Sequence, residues 1–114
     1  MEVYGIKNCD TVKKALKWLA SQNITVQFHD FKQQSPSEQQ ITTWADAVGW
    51  QQLLNKRSTT FRNLADTDKT DLDQAKAIQL MLAQPTLIKR PVVEYQTQVK
   101  VGFKADDYQA WLQQ

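Results

Sequence analysis

Residues 2–12 of the chain read EVYGIKNCDTV and change character within a few positions. The segment from Glu2 to Ile6 is short and rich in strand-favouring residues, which predicts a first β-strand. From Cys9 onward the apolar residues recur at helical spacing, which predicts a helix. The apolar positions of this helix are Val12, Ala15, Leu16 and Leu19.

Local signals bound this first helix on both sides. Asn8 is the predicted N-cap, with Asp10 as the alternative, and Asn23 is the predicted stop. From Ile24 to Phe31 apolar and polar residues then alternate, which predicts a second strand. Strand, helix and strand within about 30 residues form a βαβ unit, so the two strands are expected to be parallel.

The middle of the chain is predicted to be helical. Ser35 and Glu38 have the spacing of a capping box with Pro36 as the first helical residue, and Gly49 ends the helix that follows. A short helix is expected next, then a polar loop over residues 59–71, then a helix that stops before Pro85. The apolar residues of these helices are Ile41, Trp44, Ala45, Val48, Trp50, Leu53, Leu54, Leu72, Ala75, Ile78, Met81 and Leu82.

The last third of the chain predicts a hairpin and a helix. A strand is expected after Pro91, a turn at Gln96 and Thr97, a partner strand, and a terminal helix through Tyr108. The order is therefore β-α-β, a helical block, then β-β-α. This is an α/β, thioredoxin-like arrangement with a helical insertion at about residues 35–84. No linker composition separates the insertion, so we expect a single domain over residues 1–114.

Composition excludes several classes of protein. The chain has 114 residues, 41% of them apolar, which is enough for a packed core. A net charge of +2 is too weak to predict nucleic-acid binding, and no apolar run approaches the length of a membrane span. One cysteine and no possible internal disulfide fit a reducing compartment. We therefore expect a monomeric, cytoplasmic protein that binds neither membranes nor nucleic acid.

Cys9 is the first candidate for chemistry. A helix N-terminus stabilises a thiolate through its free backbone N–H groups and its positive dipole end. Lys7 and Lys13 add positive charge nearby, Lys13 one turn along the helix. The alternative is a buried, inert cysteine, but the start of a helix after a turn is an unusual place for a core residue.

Two basic segments are the next candidates. In the predicted fold Arg90 and Pro91 lie opposite the Cys9 turn, where Arg90 could bind an oxyanion or a carboxylate; the alternative is an ordinary surface arginine. Arg57 lies in a basic, hydroxyl-rich loop that suits anion binding, or is simply solvated. His29 is expected to face solvent without a role. The aspartates of residues 66–73 lack the pattern of a calcium loop, so no metal is predicted.

Four segments of the chain resemble the arsenate reductase (ArsC) family, in its YffB/Spx-like branch. Residues 4–15, YGIKNCDTVKKA, are similar to the opening of that family, and residues 53–62, LLNKRSTTFR, to the middle motif of the branch. Residues 87–93, LIKRPVV, and 101–103, VGF, are similar to its closing motifs. The four match in the same order and nearly end to end, which is more specific than any one of them.

The resemblance implies a thioredoxin-like fold with a helical insertion and a nucleophilic cysteine at Cys9. It implies glutathione as co-substrate and no bound cofactor. Arg90 matches the arginine of the family's Arg-Pro motif, and Pro91 matches a proline that is usually cis in this fold. The glutathione-binding residues that we predict are Lys7, Asn8, Lys13, Arg57, Arg90 and Pro91.

The chain departs from the family pattern at several positions. Gly5 and Asn55 stand where the arsenate reductases carry a histidine and an arginine, and Phe103 stands near their last arginine. The differences at Gly5 and Phe103 weaken the expectation of arsenate as the substrate. Val12 occupies the position of the second cysteine of the Spx regulators, which excludes an internal disulfide switch.

Three functions follow from the residues and the resemblance together. The leading hypothesis is a glutathione-dependent thiol oxidoreductase with a monothiol mechanism, acting on an unidentified oxidised substrate. The alternatives are a non-enzymatic, Spx-like transcriptional regulator that binds RNA polymerase, and a true arsenate reductase.

Overall fold

The computed structural model describes residues 1–113 and has a mixed α/β architecture. Its sheet has the strand order β2-β1-β3-β4, with β1 parallel to β2 and antiparallel to β3, and β3 antiparallel to β4. This confirms the predicted thioredoxin-like fold. The elements are β1 (Glu2–Gly5), α1 (Asp10–Ser21), β2 (Gln27–Asp30), α2 (Glu38–Val48), α3 (Trp50–Leu53), α4 (Thr59–Arg62), α5 (Asp66–Lys69), α6 (Gln74–Ala83), a 3₁₀ turn (Pro85–Leu87), β3 (Val92–Tyr95), β4 (Gln98–Val101) and α7 (Ala105–Leu112).

The chain divides into two compact units. The sheet unit contains Met1–Gln34 and the chain from Arg90 onward, and the helical unit is Ser35–Lys89. The insertion was expected to end near residue 84, but the helical unit continues to Lys89. Its last residues are held by a β-bridge between Leu54 and Ile88 and by the Lys89 N–H, which donates to the Leu53 carbonyl at 2.7 Å. That the whole chain is one domain stays a prediction.

The core of the sheet unit lies where α1 and α7 pack on the strands. Val3 and Val93 are opposite each other in β1 and β3, and both are fully buried together with Leu19 and Tyr108. Half-buried aromatic rings surround this cluster, with the Phe103 ring 4.9 Å from that of Tyr108. Burial of these large apolar groups is the main force that holds the helices to the sheet.

The end of α1 has a well-defined cause. Asn23 adopts the left-handed conformation, with φ of 60°. The Ile24 N–H donates to the Leu19 carbonyl at 3.1 Å and the Asn23 N–H to the Ala20 carbonyl at 3.0 Å, which is the Schellman pattern. The predicted stop at Asn23 is confirmed. Strand β2 is shorter than the predicted range 24–31. It covers Gln27–Asp30, the residues that pair with β1.

The start of α2 differs from the prediction by two residues. Ser37, not Ser35, is the N-cap: its Oγ accepts the Gln40 N–H at 3.1 Å, and the Gln40 side chain accepts the Ser37 N–H at 3.0 Å. The sequence holds two overlapping patterns of the same spacing. With the cap at Ser37, Pro36 precedes the helix and is buried instead of lying in its first turn.

The polar segment 59–71 was wrongly expected to be a loop throughout. It contains the one-turn helices α4 and α5, which are too short to show a period in the sequence. Ser58 caps the first, its Oγ accepting the Phe61 N–H at 3.1 Å. Lysine ammonium groups bind carbonyls near the ends of the turns: Lys69 Nζ donates to Arg62 at 2.8 Å, and Lys76 Nζ donates to Thr67 at 2.7 Å.

The β3–β4 hairpin is as the sequence predicts. Gln96 and Thr97 form its turn with φ of 50° and 66°, the left-handed pair that matches the twist of the strands. After β4, the Gly102 N–H donates to the Pro91 carbonyl at 2.9 Å, and the buried Tyr108 hydroxyl donates to the Gly102 carbonyl at 2.6 Å. These bonds tie the start of α7 to the chain beside Arg90.

None of the helices within residues 1–113 combines the length and the apolar character that crossing a membrane requires.

Replacing Tyr108 by phenylalanine should destabilise the protein by about 1–3 kcal/mol, because the buried Gly102 carbonyl loses its donor. Urea unfolding followed by circular dichroism measures this loss. Tyr95→Phe is the matched control: this tyrosine is half-buried and its hydroxyl only accepts a 3.5 Å hydrogen bond from Gln96, so its removal should change stability little. Equal stability of the Tyr108→Phe variant and the wild type would contradict the role given to this bond.

Candidate active site

Cys9 is a half-buried free thiol at the N-cap of α1. Asn8, the predicted cap, lies one residue outside the helix: the extended backbone is that of Cys9, with φ of −98° and ψ of 123°. The Cys9 carbonyl accepts the first helical bond, from the Lys13 N–H at 3.0 Å. The side chain at the N-cap position is therefore the thiol of Cys9, rather than the amide of Asn8.

Arg90 meets Cys9 because of the sheet topology. Tyr4 pairs with Val92 in the antiparallel ladder of β1 and β3, so the chain leaving β1 and the chain entering β3 lie at one edge of the sheet. The Arg90–Pro91 bond is cis, as the resemblance implies. The half-buried Arg90 side chain lies close enough to the Cys9 sulfur to lower the pKa of the thiol, both as a hydrogen-bond donor and by its positive charge.

The pKa of Cys9 reflects two opposing effects. Partial burial raises it, because the thiolate loses water, but the Val12 N–H, the Arg90 side chain and the Thr11 N–H lower it. Together the lowering effects are larger than the effect of burial, so the pKa of the Cys9 thiol lies below its usual value. The neutral thiol makes no side-chain capping bond of regular geometry. A thiolate is the better acceptor, so these donors favour the ionised form.

Three further predicted residues flank Cys9 along the chain. Lys7 and Asn8 are exposed in the turn between β1 and α1, and Lys13 is exposed one helical turn after the cysteine. All three lie within four residues of Cys9 along the chain. Contacts between these side chains and glutathione stay predictions.

Arg57 belongs to the helical unit, where it is exposed in the turn between α3 and α4. Its N–H donates to Asn55 Oδ1 at 3.1 Å, and the Asn55 N–H donates to the Leu87 carbonyl at 2.8 Å. Asn55 is thus used to shape this turn. The role of Arg57 in anion binding stays a prediction.

Positions 5 and 103 carry no cation here. Gly5 is buried at the end of β1. Phe103 packs in the aromatic cluster, its ring centre 6.0 Å from that of Trp18 and 4.9 Å from that of Tyr108. Phe103 is therefore part of the core, and neither position supplies a charged donor for an oxyanion.

His29, which is predicted to face solvent without a role, contacts two residues of β1. Its ring stacks on Tyr4 with centroids 4.6 Å apart, and its Nε2 lies 3.1 Å from Glu2 Oε1. This group lies on β1 and on the edge strand β2. Within residues 1–113 no three histidine, cysteine, aspartate or glutamate side chains cluster closely enough to bind a metal ion.

The backbone donors of Thr11 and Val12 are the site groups that sequence reasoning did not name individually. It predicted free N–H groups at the helix start in general. To tell which N–H groups face the thiol, one must know the N-cap. The sequence predicts Asn8 as the N-cap, whereas the structure has Cys9 there. With Cys9 at the N-cap, the second and third helical N–H groups are those of Thr11 and Val12, and both lower the pKa of the thiol.

The family model for the ArsC family matches residues 4–111. The chain belongs to the ArsC family. The solved YffB protein is 50% identical, with a TM-score of 0.93 and 96% of each chain covered. An ArsC-related protein from Brucella melitensis is 43% identical, with a TM-score of 0.78, covering 99% of this chain and 94% of the other. The global transcriptional regulator Spx of Streptococcus pyogenes serotype M3 is 26% identical over 92% of this chain and 79% of its own. The fold is that of the family's thiol oxidoreductases.

Cys9 should alkylate with a pH midpoint below the ~8.5 of a free cysteine, because the thiolate is the reactive form and its pKa is lowered here. Replacing Arg90 by alanine should raise that midpoint by about one pH unit, since a cation and a donor are lost. Initial rates with iodoacetamide across the pH range give both values.

The control for this measurement is Lys17→Ala, which removes an exposed cation of the sheet unit two helical turns from Cys9. Its midpoint should equal that of the wild type. A wild-type midpoint at or above the free value would reject the thiolate assignment. An unchanged midpoint in Arg90→Ala would reject the contribution of Arg90.

Proposed function

We propose that this ArsC-family protein is a glutathione-dependent thiol oxidoreductase that uses Cys9 in a monothiol mechanism. The observation that carries the proposal is the place of Cys9 at the N-cap of α1, where the Val12 N–H, the Arg90 side chain and the Thr11 N–H lower the pKa of its thiol. A stabilised thiolate is present at neutral pH in a larger fraction, and it is also a better leaving group.

The reaction proposed is a two-step thiol–disulfide exchange. The Cys9 thiolate attacks a substrate disulfide R–S–S–R′, forming Cys9–S–S–R and releasing R′–S⁻, which takes a proton from water. The thiolate of glutathione then attacks the R sulfur, forming a glutathione–R disulfide and returning Cys9 as a thiolate. A second glutathione reduces that disulfide to R–SH, so two glutathiones supply two electrons and leave as oxidised glutathione.

An external thiol is needed because the chain has one cysteine. The third residue after it, where a resolving thiol would stand, is the fully buried Val12. Glutathione is the external thiol that fits the charges: it carries two carboxylates, and cationic side chains flank Cys9. We assign its binding to the sheet-unit residues Lys7, Asn8, Lys13, Arg90 and Pro91. An anion-binding role of Arg57, in the helical unit, stays a prediction.

The proposed setting is the cytoplasm, where glutathione is abundant and a single thiol stays reduced. The proposed working form is a monomer that needs neither a bound cofactor nor nucleic acid. Its second partner is an oxidised substrate of unidentified structure.

Incubation with oxidised glutathione should give one glutathione adduct, on Cys9, which mass spectrometry of the intact protein and its peptides detects. Cys9→Ser should give none. The rate should fall several-fold in Lys13→Gln and less in Lys17→Gln, which removes a similar exposed lysine two turns from Cys9 instead of one. Absence of the adduct in the wild type at a pH above its alkylation midpoint would reject glutathione as co-substrate.

A true arsenate reductase is the second candidate, which the similarity to an arsenate reductase-related protein favours. We expect little arsenate turnover in a glutathione- and glutaredoxin-coupled assay. Loss of one fixed donor to a developing oxyanion typically costs about 10²–10³ in rate, and positions 5 and 103 supply no such donor. Turnover of arsenate as fast as that of a glutathione-mixed disulfide would reverse the order of the two candidates.

A regulator that binds RNA polymerase is the third candidate, which the similarity to Spx favours. It differs from the proposed enzyme in needing no turnover. Steady-state reduction of a mixed disulfide by wild type, lost in Cys9→Ser, supports the enzyme. Binding of purified RNA polymerase equally by both proteins, without turnover, would support the regulator.

A further inference from the structure

Gly5 and Val12 are in unusually close contact beside Cys9. Gly5 is the last residue of β1, and Val12 is in the first turn of α1. A Cβ atom built on Gly5 would lie 2.7 Å from Val12 Cγ2, closer than carbon atoms approach without displacement. The methyl group of Val12 thus occupies the space that any side chain at position 5 would need.

Neither partner has room to move. Val12 is fully buried, and a valine in a helix has one strongly preferred rotamer. Gly5 is held on the strand side: it pairs with Asp30 of β2, and its carbonyl accepts the Phe31 N–H at 2.8 Å. A side chain at position 5 would therefore displace the first turn of α1 rather than the sheet.

The displaced turn carries the donors of the thiol. The Val12 N–H belongs to the same residue as the crowded methyl group. It is the third N–H of the helix after the Cys9 N-cap, and it lowers the pKa of the Cys9 thiol. Hydrogen-bond strength falls steeply with distance and angle, so a shift of a few tenths of an ångström matters.

We propose that Gly5 is a positioning residue for the Cys9 nucleophile: the Gly5–Val12 contact seats the first turn of α1 against β1 and so holds the Val12 N–H on the sulfur. The proposal rests on the proposed function, since it concerns how the same thiol is activated. Gly5 acts through Val12 and touches no reacting atom. The same packing excludes a cationic side chain at position 5 as long as position 12 is valine.

The test is a double-mutant cycle in which the pH midpoint of Cys9 alkylation is measured for each variant. Gly5→Ala should raise the midpoint by about half a pH unit or more, which lowers the rate at acidic pH about three-fold or more. Val12→Ala removes the crowding methyl groups but keeps the backbone N–H. The Gly5→Ala/Val12→Ala double variant should therefore have a midpoint close to that of Val12→Ala alone.

The control is Val93→Ala, which removes the same atoms from another fully buried position of the sheet unit. It should lower stability and leave the midpoint unchanged. If Gly5→Ala is unfolded by circular dichroism, the double variant should still be folded, because its crowding is relieved.

Three results would overturn the proposal: an unchanged midpoint in folded Gly5→Ala, a double variant that keeps the shift of Gly5→Ala, or a double variant as unfolded as Gly5→Ala. The assay contains no glutathione. A protein with the expected midpoints but no glutathione adduct would therefore reject the proposed co-substrate and keep the positioning role, whereas the reverse pattern would reject the positioning role alone.

Discussion

The antiparallel pairing of β1 with β3 is the constraint on which the candidate site depends. β1 ends at Gly5 and leads into the Cys9 turn, while β3 begins at Val92 directly after Arg90 and Pro91. Because the two strands run in opposite directions with Tyr4 opposite Val92, both segments lie at one edge of the sheet. A parallel arrangement of the same strands would separate the thiol from its cation. The strand topology thus brings Cys9 and Arg90 together, and their side-chain chemistry can act only because of it.

The thiol site balances opposite effects within that frame. Burial of Cys9 alone would favour the neutral thiol, and it is overcome only because backbone and guanidinium donors converge on the sulfur. Such donors are effective when they are held in place before the reaction, since no energy is then lost in orienting them. The chain beside Arg90 is held by the series of bonds from Tyr108 to Gly102 to Pro91. The helix side is held by the packing of Val12 on Gly5.

Positions 5 and 103, where the resemblance predicts cationic side chains in arsenate reductases, have structural roles in this protein. Phe103 takes part in the aromatic packing around Tyr108, and Gly5 is enclosed by Val12, so both positions serve packing rather than anion binding. In the proposed function, the cations near Cys9 bind the carboxylates of an organic co-substrate, rather than a compact oxyanion that needs several fixed donors. A thiol-exchange reaction requires fewer donors, because its charge stays on sulfur throughout.

The sequence by itself determined the types and order of the strands and of the longer helices, the position of Cys9 at the start of a helix, the absence of a second thiol and the β3–β4 turn. These are local properties, encoded in periodicity and in residues a few positions apart. It could not choose between Ser35 and Ser37 as a cap, or detect one-turn helices, because such signals overlap or have no period. Only the tertiary structure decided which donors reach the sulfur, that Phe103 joins the core, and that Gly5 is closed by Val12. Those outcomes depend on contacts between residues distant in the chain and on packing distances of tenths of an ångström, which no local pattern specifies.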